Sequence, residues 1–278
     1  MELDGKVAVI TGAAGGLGLA LARHCLARGM RLVLADLDGE ALALAARQLP
    51  VAELVTAQVD VTRAEQVEGL AQLAYQRLGA VHLLFNNAGV GLVKPVAETT
   101  ANDWRWVLGV NLWGVIHGIA AFLPRMQAQP GPSRIVNTAS AAGFLSEPGM
   151  AAYSVSKHAV VVLSETLHQE LEQVASRVGV TVLCPAFFAT GIADSERVRP
   201  SELADAVPPS EEAVAVQERL RHAVRAGRLS SDDVAARALE GVEARRLHVF
   251  PHRRIRTAIE DRLQGVLAAC DPPAARRP

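Results

Sequence analysis

Two residues four apart, Tyr153 and Lys157, are the pair in this chain whose types and spacing could do chemistry most directly. Both types are scarce. The 278 residues hold two tyrosines (Tyr75 and Tyr153), and only Lys6, Lys94 and Lys157 among 28 Lys and Arg are lysines. At these abundances a Tyr followed four positions later by a Lys arises by accident roughly one time in fifty. On a helix, positions i and i+4 share a face, which sets an ammonium beside a phenol. A phenol of ordinary pKa, ~10, is a poor base at neutral pH. A unit charge ~4 Å away contributes roughly 4 kcal/mol at an effective dielectric of ~20, and one pKa unit is about 1.4 kcal/mol. Lys157 is therefore expected to move Tyr153 about three units toward neutrality, into the range of a general acid/base. The competing reading is a helix-surface pair with nothing to catalyse.

The elements that must position this pair follow from the hydrophobic pattern. Short apolar runs at 6–10, 31–35, 54–58, 81–85, 134–137 and 180–183 predict strands. Helical patterns lie between them at 16–28, 39–49, 63–78, 102–128 and 151–176. Alternation of this kind, with strands apolar throughout, predicts an α/β fold: a Rossmann-type, doubly wound parallel sheet with helices on both faces. The segment 185–230 breaks the rhythm with four prolines, two phenylalanines and many charges, and reads as a lid-like insertion over about 186–230. A helix at 232–243, a short strand at 247–250 and a terminal helix at 253–269 complete one domain over 1–270, and 271–278 reads as a disordered tail.

Composition narrows the class. Half the residues are hydrophobic, 21% are charged and the net charge is −1, so nothing points to nucleic acid as a bulk partner. Arg245-Arg246 and Arg253-Arg254 read as solvated faces or a local anion contact. Three isolated cysteines, Cys25, Cys184 and Cys270, suit a reducing compartment better than a disulfide framework or zinc site. The N-terminus shows no signal-peptide pattern, and no apolar run of the ~20 residues that span a bilayer is apparent. These features lead us to expect a cytoplasmic protein with no membrane or metal partner, the histidines being structural or exposed.

Between the first strand and the first helix runs Thr11-Gly12-Ala13-Ala14-Gly15-Gly16-Leu17-Gly18. Glycines there let the backbone turn tightly and approach a pyrophosphate at the helix N-terminus. The spacing is GxxxGxG, and a glycine-rich turn alone is a weak signal. Asp36 strengthens it, because an acidic side chain ending the second strand can take both ribose hydroxyls of NAD and repel a 2′-phosphate. Neither Gly15 nor Leu37 supplies a compensating cation, so NAD is expected over NADP. Asp38 suits the helix N-cap better than Asp36 does.

Taken together, these residues resemble the short-chain dehydrogenase/reductase family over roughly residues 5–190. Thr11–Gly18 matches its TGxxxGxG turn. Asp60-Val61 matches the pair that contacts adenine, and Asn86-Asn87-Ala88-Gly89 matches NNAG, which places Asn87 and Gly89 at the cofactor. The resemblance implies a catalytic set of Asn111, Ser140, Tyr153 and Lys157. In it Ser140 holds the substrate oxygen, and Tyr153 takes the alcohol proton as hydride passes to the nicotinamide. Lys157 lowers the tyrosine pKa and binds the nicotinamide ribose, while Asn111 kinks its helix and orders a relay water. Pro185-Ala186-Phe187-Phe188-Ala189-Thr190 resembles PGxxxT, which implies nicotinamide contacts from Phe188 and Thr190; here Ala186 replaces the glycine. Segments 103–126 and 249–267 are distantly similar to aryl-alcohol Cα-dehydrogenases.

Apolar pocket walls are expected from Leu92, Phe144, Leu145 and Phe187, which favour a hydrophobic or aromatic secondary alcohol, or its ketone. Arg197 or Arg199 in the lid reads as a solvated charge or a partner for a substrate carboxylate. Ile255, Ile259, Leu263 and Val266 form an apolar stripe on the terminal helix, open to its own subunit, a second subunit or a membrane surface. Family members commonly form dimers or tetramers, so a homodimer or homotetramer is expected. Two alternatives remain: an NADPH-dependent ketone reductase, and a catalytically silent NAD-binding sensor needing the glycine turn and Asp36 but not Ser140, Tyr153 and Lys157. A structural interaction protein would need neither set.

Overall fold

Seven short strands, rich in Val, Leu, Ile and Ala, form one sheet: β1 (Val7–Thr11), β2 (Arg31–Asp36), β3 (Leu54–Gln58), β4 (Leu83–Asn86), β5 (Ser133–Thr138), β6 (Val178–Leu183) and β7 (His248–Val249). The computed structural model describes residues 2–49, 54–205 and 208–270; the tail expected at 271–278 lies outside them. All strand pairs are parallel, in the order β3-β2-β1-β4-β5-β6-β7. Alternate residues of each strand serve opposite faces. Ile10, Leu32, Leu34 and Phe85 join one cluster with α1 (Gly16–Leu26), α2 (Gly39–Arg47) and α8 (Ser231–Glu243). Val9, Val33 and Leu84 join another with α3 (Ala64–Leu78), α5 (Gly114–Ala128) and α6 (Ala151–Gln173). The sheet is thus doubly wound, and its order reverses between β1 and β4, which opens a crevice at the strands' C-terminal ends.

Four expectations need correction. The helix expected over 102–128 is two, α4 (Ala101–Leu108) and α5, joined by a π-helical turn at Gly109–Trp113. The extra residue of that turn carries Asn111 inward, where its Oδ1 accepts from Val90 N at 2.8 Å and its Nδ2 donates to Val90 O at 3.0 Å. Ala101–Ala128 is also long and apolar enough to cross a bilayer, contrary to the sequence reading. It packs against the sheet through fully buried Phe122 and Met126, as a core helix does.

The segment 186–230, read as lacking regular structure, contains α7 (Glu211–Arg225). Only Ala213, Leu220 and Val224 of this helix are buried, which is too sparse a stripe to stand out among its charges. Nor is Arg199 a solvated charge. Its side chain is 4% exposed, 2.8 Å from the fully buried Asp103 carboxylate and stacked 5.0 Å from the Trp106 ring. Lys94 Nζ bonds Asp103 at 3.0 Å and Asp205 at 2.9 Å, so two cations and two anions pin the segment to the start of α4. Burial pushes the Asp103 carboxyl up, but the Thr100 N–H and the Lys94 ammonium outweigh it and hold it below the usual range.

Terminal helix α9 (Ile255–Cys270) buries no residue, and its stripe stays open, with Leu263 48% and Val266 52% exposed. Ile255 and Ile259 at its start are half-buried, so the stripe is uncovered mainly at its Leu263 and Val266 end.

Asp103→Ala would remove the fully buried carboxylate that Lys94 and Arg199 share, leaving them Asp205 and, for Arg199, Glu196, and should destabilise the protein by about 3 kcal/mol in urea unfolding. An unchanged urea midpoint would show that the cluster does not hold the segment.

Candidate active site

A cleft of about 780 Å³ follows the crevice and collects most of the residues singled out in the sequence. At one end the turn after β1 closes only with glycine at position 18, where a Cβ would stand 2.0 Å from Gly12 O. Gly12 and Gly16 adopt positive φ, +67° and +51°. Gly15 is the N-cap of α1, and a Cβ built on it meets nothing within 4 Å, so its backbone faces open cleft. No side chain caps α1 and no acidic residue occupies its first turn, which leaves a helix N-terminus ready for an anion.

Asp36, at the end of β2, lines the same end. Its Oδ2 accepts from Ala14 N at 2.9 Å and its Oδ1 from Asp38 N at 3.1 Å, which fixes the carboxylate against the turn. Asp38 caps α2 through Ala41 N, as expected. Asp60 and Val61 line the cleft beyond Asp36, and the Asp60 carboxylate is held by the Thr62 N–H and hydroxyl at 2.9 and 2.7 Å. Asn87 and Gly89 line its floor; Asn87 Nδ2 donates to Thr11 O at 2.9 Å, and Thr138 Oγ1 donates to Asn87 Oδ1 at 3.3 Å.

The other end holds Ser140, Tyr153 and Lys157. Ser140 begins a short 3-10 turn, where its Oγ accepts from Ala142 N at 3.1 Å and donates to Pro185 O at 3.3 Å. The first turn of α6 carries Tyr153, and Lys157 stands one turn on with its Nζ donating to Thr138 O at 2.9 Å. Asn111 is outside the cleft lining but joins the site from behind: Nδ2 donates to Ser156 Oγ at 3.0 Å, and Ser156 Oγ donates to Tyr153 O at 2.6 Å. Gly89 fits between them, since a Cβ there would lie 3.3 Å from Asn111 Oδ1 and 3.5 Å from Lys157 Nζ.

The downward shift expected for Tyr153 is not what this geometry produces. Burial raises the phenol, and its hydrogen bond with Ser140 only partly opposes this. The Lys157 ammonium lies 5.7 Å from the ring centroid, is turned to the Thr138 carbonyl, and is itself pushed down to about 8 by burial. A cation at contact distance would lower the phenol, but here it stands off the ring and both groups are desolvated.

The expected substrate walls are placed in part. Phe187, 44% exposed, lines the cleft with Phe188 and Thr190. Leu92, Phe144 and Leu145 do not. Leu92 is packed with Val90, Trp106 and Ala152, and the Phe144 ring lies 5.2 Å from that of Phe250, tilted by 58°. The apolar wall is supplied by Trp106, Ile192, Val198 and Leu203, from α4 and the 186–230 segment. Nothing in their spacing marks them, because the topology alone brings them together. Thr11 and Thr138, which no chemical role singled out, orient Asn87. His248 and His252 do have the HxxxH ligand spacing, against the expectation that no histidine pair in the chain has it. The fold turns them to different partners, Glu165 Oε1 at 2.8 Å and Ala186 N at 3.1 Å.

A doubly wound sheet with a glycine turn after its first strand is a fold this chain shares with known proteins. The family model for short chain dehydrogenases matches residues 6–200, and the chain belongs to that family. Among curated relatives, a Cα-dehydrogenase of Sphingobium is 31% identical, covering 98% of this chain and 88% of that protein. A CLA biosynthesis dehydrogenase/reductase of Lactiplantibacillus plantarum is 30% identical over 96% and 94% of the two chains. A solved short-chain dehydrogenase/reductase from Burkholderia phymatum, in complex with NAD, superposes with TM-score 0.95 over the full length of both chains at 45% identity.

The Lys157 shift yields a stability prediction. Below about pH 8 the folded and unfolded chains both carry the ammonium; from there to 10.5 the unfolded chain holds a proton that the folded chain has shed. Stability contributed by this group therefore rises with pH across that window. Relative to Lys157→Met, the wild type should gain on the order of 3 kcal/mol by its upper end. Urea midpoints at a series of pH values give the difference; one that does not vary with pH would mean Lys157 stays charged. Burial also pushes up the Cys25 and Cys184 thiols, but both proteins share them.

Proposed function

We propose that the protein transfers a hydride between a hydrophobic or aromatic secondary alcohol, or its ketone, and NAD. The observation that carries this reading is the convergence of Ser140, Tyr153 and Lys157 at one end of a cleft whose other end is the glycine turn with Asp36. The cofactor's fit is supported by the open backbone at Gly15 and the uncapped α1 N-terminus, which suit a pyrophosphate. Gly12, Gly16, Leu17 and Gly18 would complete that turn, Asp36 would take the adenosine ribose, and Asp60, Val61, Asn87 and Gly89 would flank the adenosine half. Phe188 and Thr190 would flank the nicotinamide. Bound in its oxidised form, NAD supplies the hydride acceptor and a positive ring.

The remaining steps belong to the chain. Ser140 Oγ donates to the substrate oxygen and holds it beside Tyr153. The Tyr153 phenolate takes the alcohol proton, and the phenol returns it when a ketone is reduced. Burial opposes that phenolate, so the Lys157 charge, present below its pKa of about 8, is the chain's own means of favouring it. Asn111 fixes the π-helical turn and, through Ser156, the backbone of Tyr153. Trp106, Val198, Leu203 and Phe187 present an apolar wall, which suits a hydrophobic or aromatic substrate. The segment 186–230 acts as the lid of this cleft, and the bare stripe of α9 supports a homo-oligomer.

Tyr153→Phe should lower turnover about 10²–10⁴-fold while leaving NAD affinity nearly unchanged, measured against an alcohol found by screening with NAD. Retained turnover would sink the catalytic assignment, and NAD binding without turnover of any alcohol or ketone would favour the sensor reading. Asp36 yields a second expectation: NADH binds more tightly than NADPH, and Asp36→Ala narrows the gap. A wild type that prefers NADPH contradicts this and favours the ketone reductase.

A further inference from the structure

One peptide unit beside the site, Pro185–Ala186, is held on both sides. Its carbonyl accepts from Ala141 N at 2.7 Å and from Ser140 Oγ at 3.3 Å. Its N–H, that of Ala186, donates to His252 Nδ1 at 3.1 Å. Opposed bonds of this kind fix the rotation of a peptide plane about the chain axis. Ala186 is not among the residues with positive φ, so alanine fits where the family pattern has glycine. Ser140 is shared between this carbonyl and the Tyr153 phenol, so a turn of the plane changes what its hydroxyl can reach.

His252 stands on the connection between β7 and α9, distant in sequence from every residue assigned to the site. A histidine nitrogen accepts only when it carries no proton, so the Ala186 bond requires the neutral ring with its hydrogen on Nε2. That Nε2 is enclosed and has no hydrogen-bond partner among the described residues. Burial pushes the ring's pKa below its ordinary value; the Phe187 backbone pulls it up and the Arg237 charge pushes it further down. Arg237, from α8, also donates to Pro251 O. The segment 185–188 carries no titratable side chain, and Arg253 and Arg254 beside His252 are exposed.

We infer that His252 is a positioning residue: in its neutral form it fixes the Pro185–Ala186 peptide, and through it Ser140 and the wall that receives the nicotinamide half of NAD. The inference rests on the NAD reading proposed above. A proton on Nδ1 turns the acceptor into a donor facing another N–H, so the plane loses one of its two anchors in acid.

The test is calorimetric titration of wild type, H252N and H252L with NAD and with AMP between about pH 5 and 8. AMP carries the adenosine ribose and a phosphate but does not reach segment 185–188. In wild type, NAD affinity should fall in acid while AMP affinity holds. H252N offers an amide oxygen that accepts without titrating, so it should keep NAD affinity within about threefold near pH 8 and lose the acid dependence. H252L should lose about tenfold in NAD affinity, the size of one hydrogen bond, with AMP bound as in wild type. Equal NAD affinity in all three proteins, or an acid loss that H252N retains, overturns the inference. If H252L fails to fold, the H252N profile decides. Wild type that binds AMP but not NAD, or neither, overturns the NAD reading itself.

Discussion

At the point where the strand order reverses, the ends of β1 and β4 lie side by side while their chains leave in opposite directions. The backbone groups there have no further strand to pair with, and buried orphans cost about 1–3 kcal/mol each. Thr11 and Asn87 resolve this. Thr11 Oγ1 accepts from Asn87 N and Ala88 N at 2.9 and 3.1 Å and donates to Phe85 O at 3.2 Å, and Asn87 Nδ2 returns a bond to Thr11 O. Because the clamp uses side chains instead of a strand, the crevice above it stays open. Both ends of the cleft depend on this junction, since Gly12 follows Thr11 directly and Gly89 lies two residues past Asn87.

Behind the cleft, polar side chains carry the register from sheet to helix. Asn86 Nδ2 donates to Asn137 Oδ1 at 2.9 Å and Asn137 Nδ2 to Ser164 Oγ at 3.0 Å, which ties β4 and β5 to α6. Gly118 lets α5 come close enough to cover this chain, for a Cβ there would stand 2.0 Å from Asn86 Oδ1. A second relay, Asn111–Ser156–Tyr153, ties the π-helical turn to the start of α6. Fully satisfied buried networks of this sort specify one arrangement, because any slip leaves several groups unpaired at once.

Those contacts show what the sequence could and could not disclose. Strands buried on both faces read as continuous apolar runs, so the doubly wound sheet was legible, as was the turn whose Gly18 is required by contact with Gly12 and Ala13. Tyr153 and Lys157 were legible from residue type and helical spacing, whereas Ser140 was reached only through the family resemblance; all three line the cleft. The cleft's apolar wall was not, because Trp106, Val198 and Leu203 come from segments that only the tertiary fold brings together. α7 was hidden by its three buried positions. The direction of the Tyr153 shift was missed for a different reason, since desolvation depends on what surrounds a group and not on its spacing from another.

The helix that ends the described chain stands apart from these constraints. An isolated helix of 16 residues is marginal in water, and most helices are held by the face they bury. α9 buries none of its residues in its own chain. Its helicity is then thermodynamically linked to whatever covers Ile259, Leu263 and Val266, and any surface that does so must supply the free energy of ordering it. The body of the protein and its last helix should consequently melt as separate units, one governed by the chain's own packing and the other by mass action.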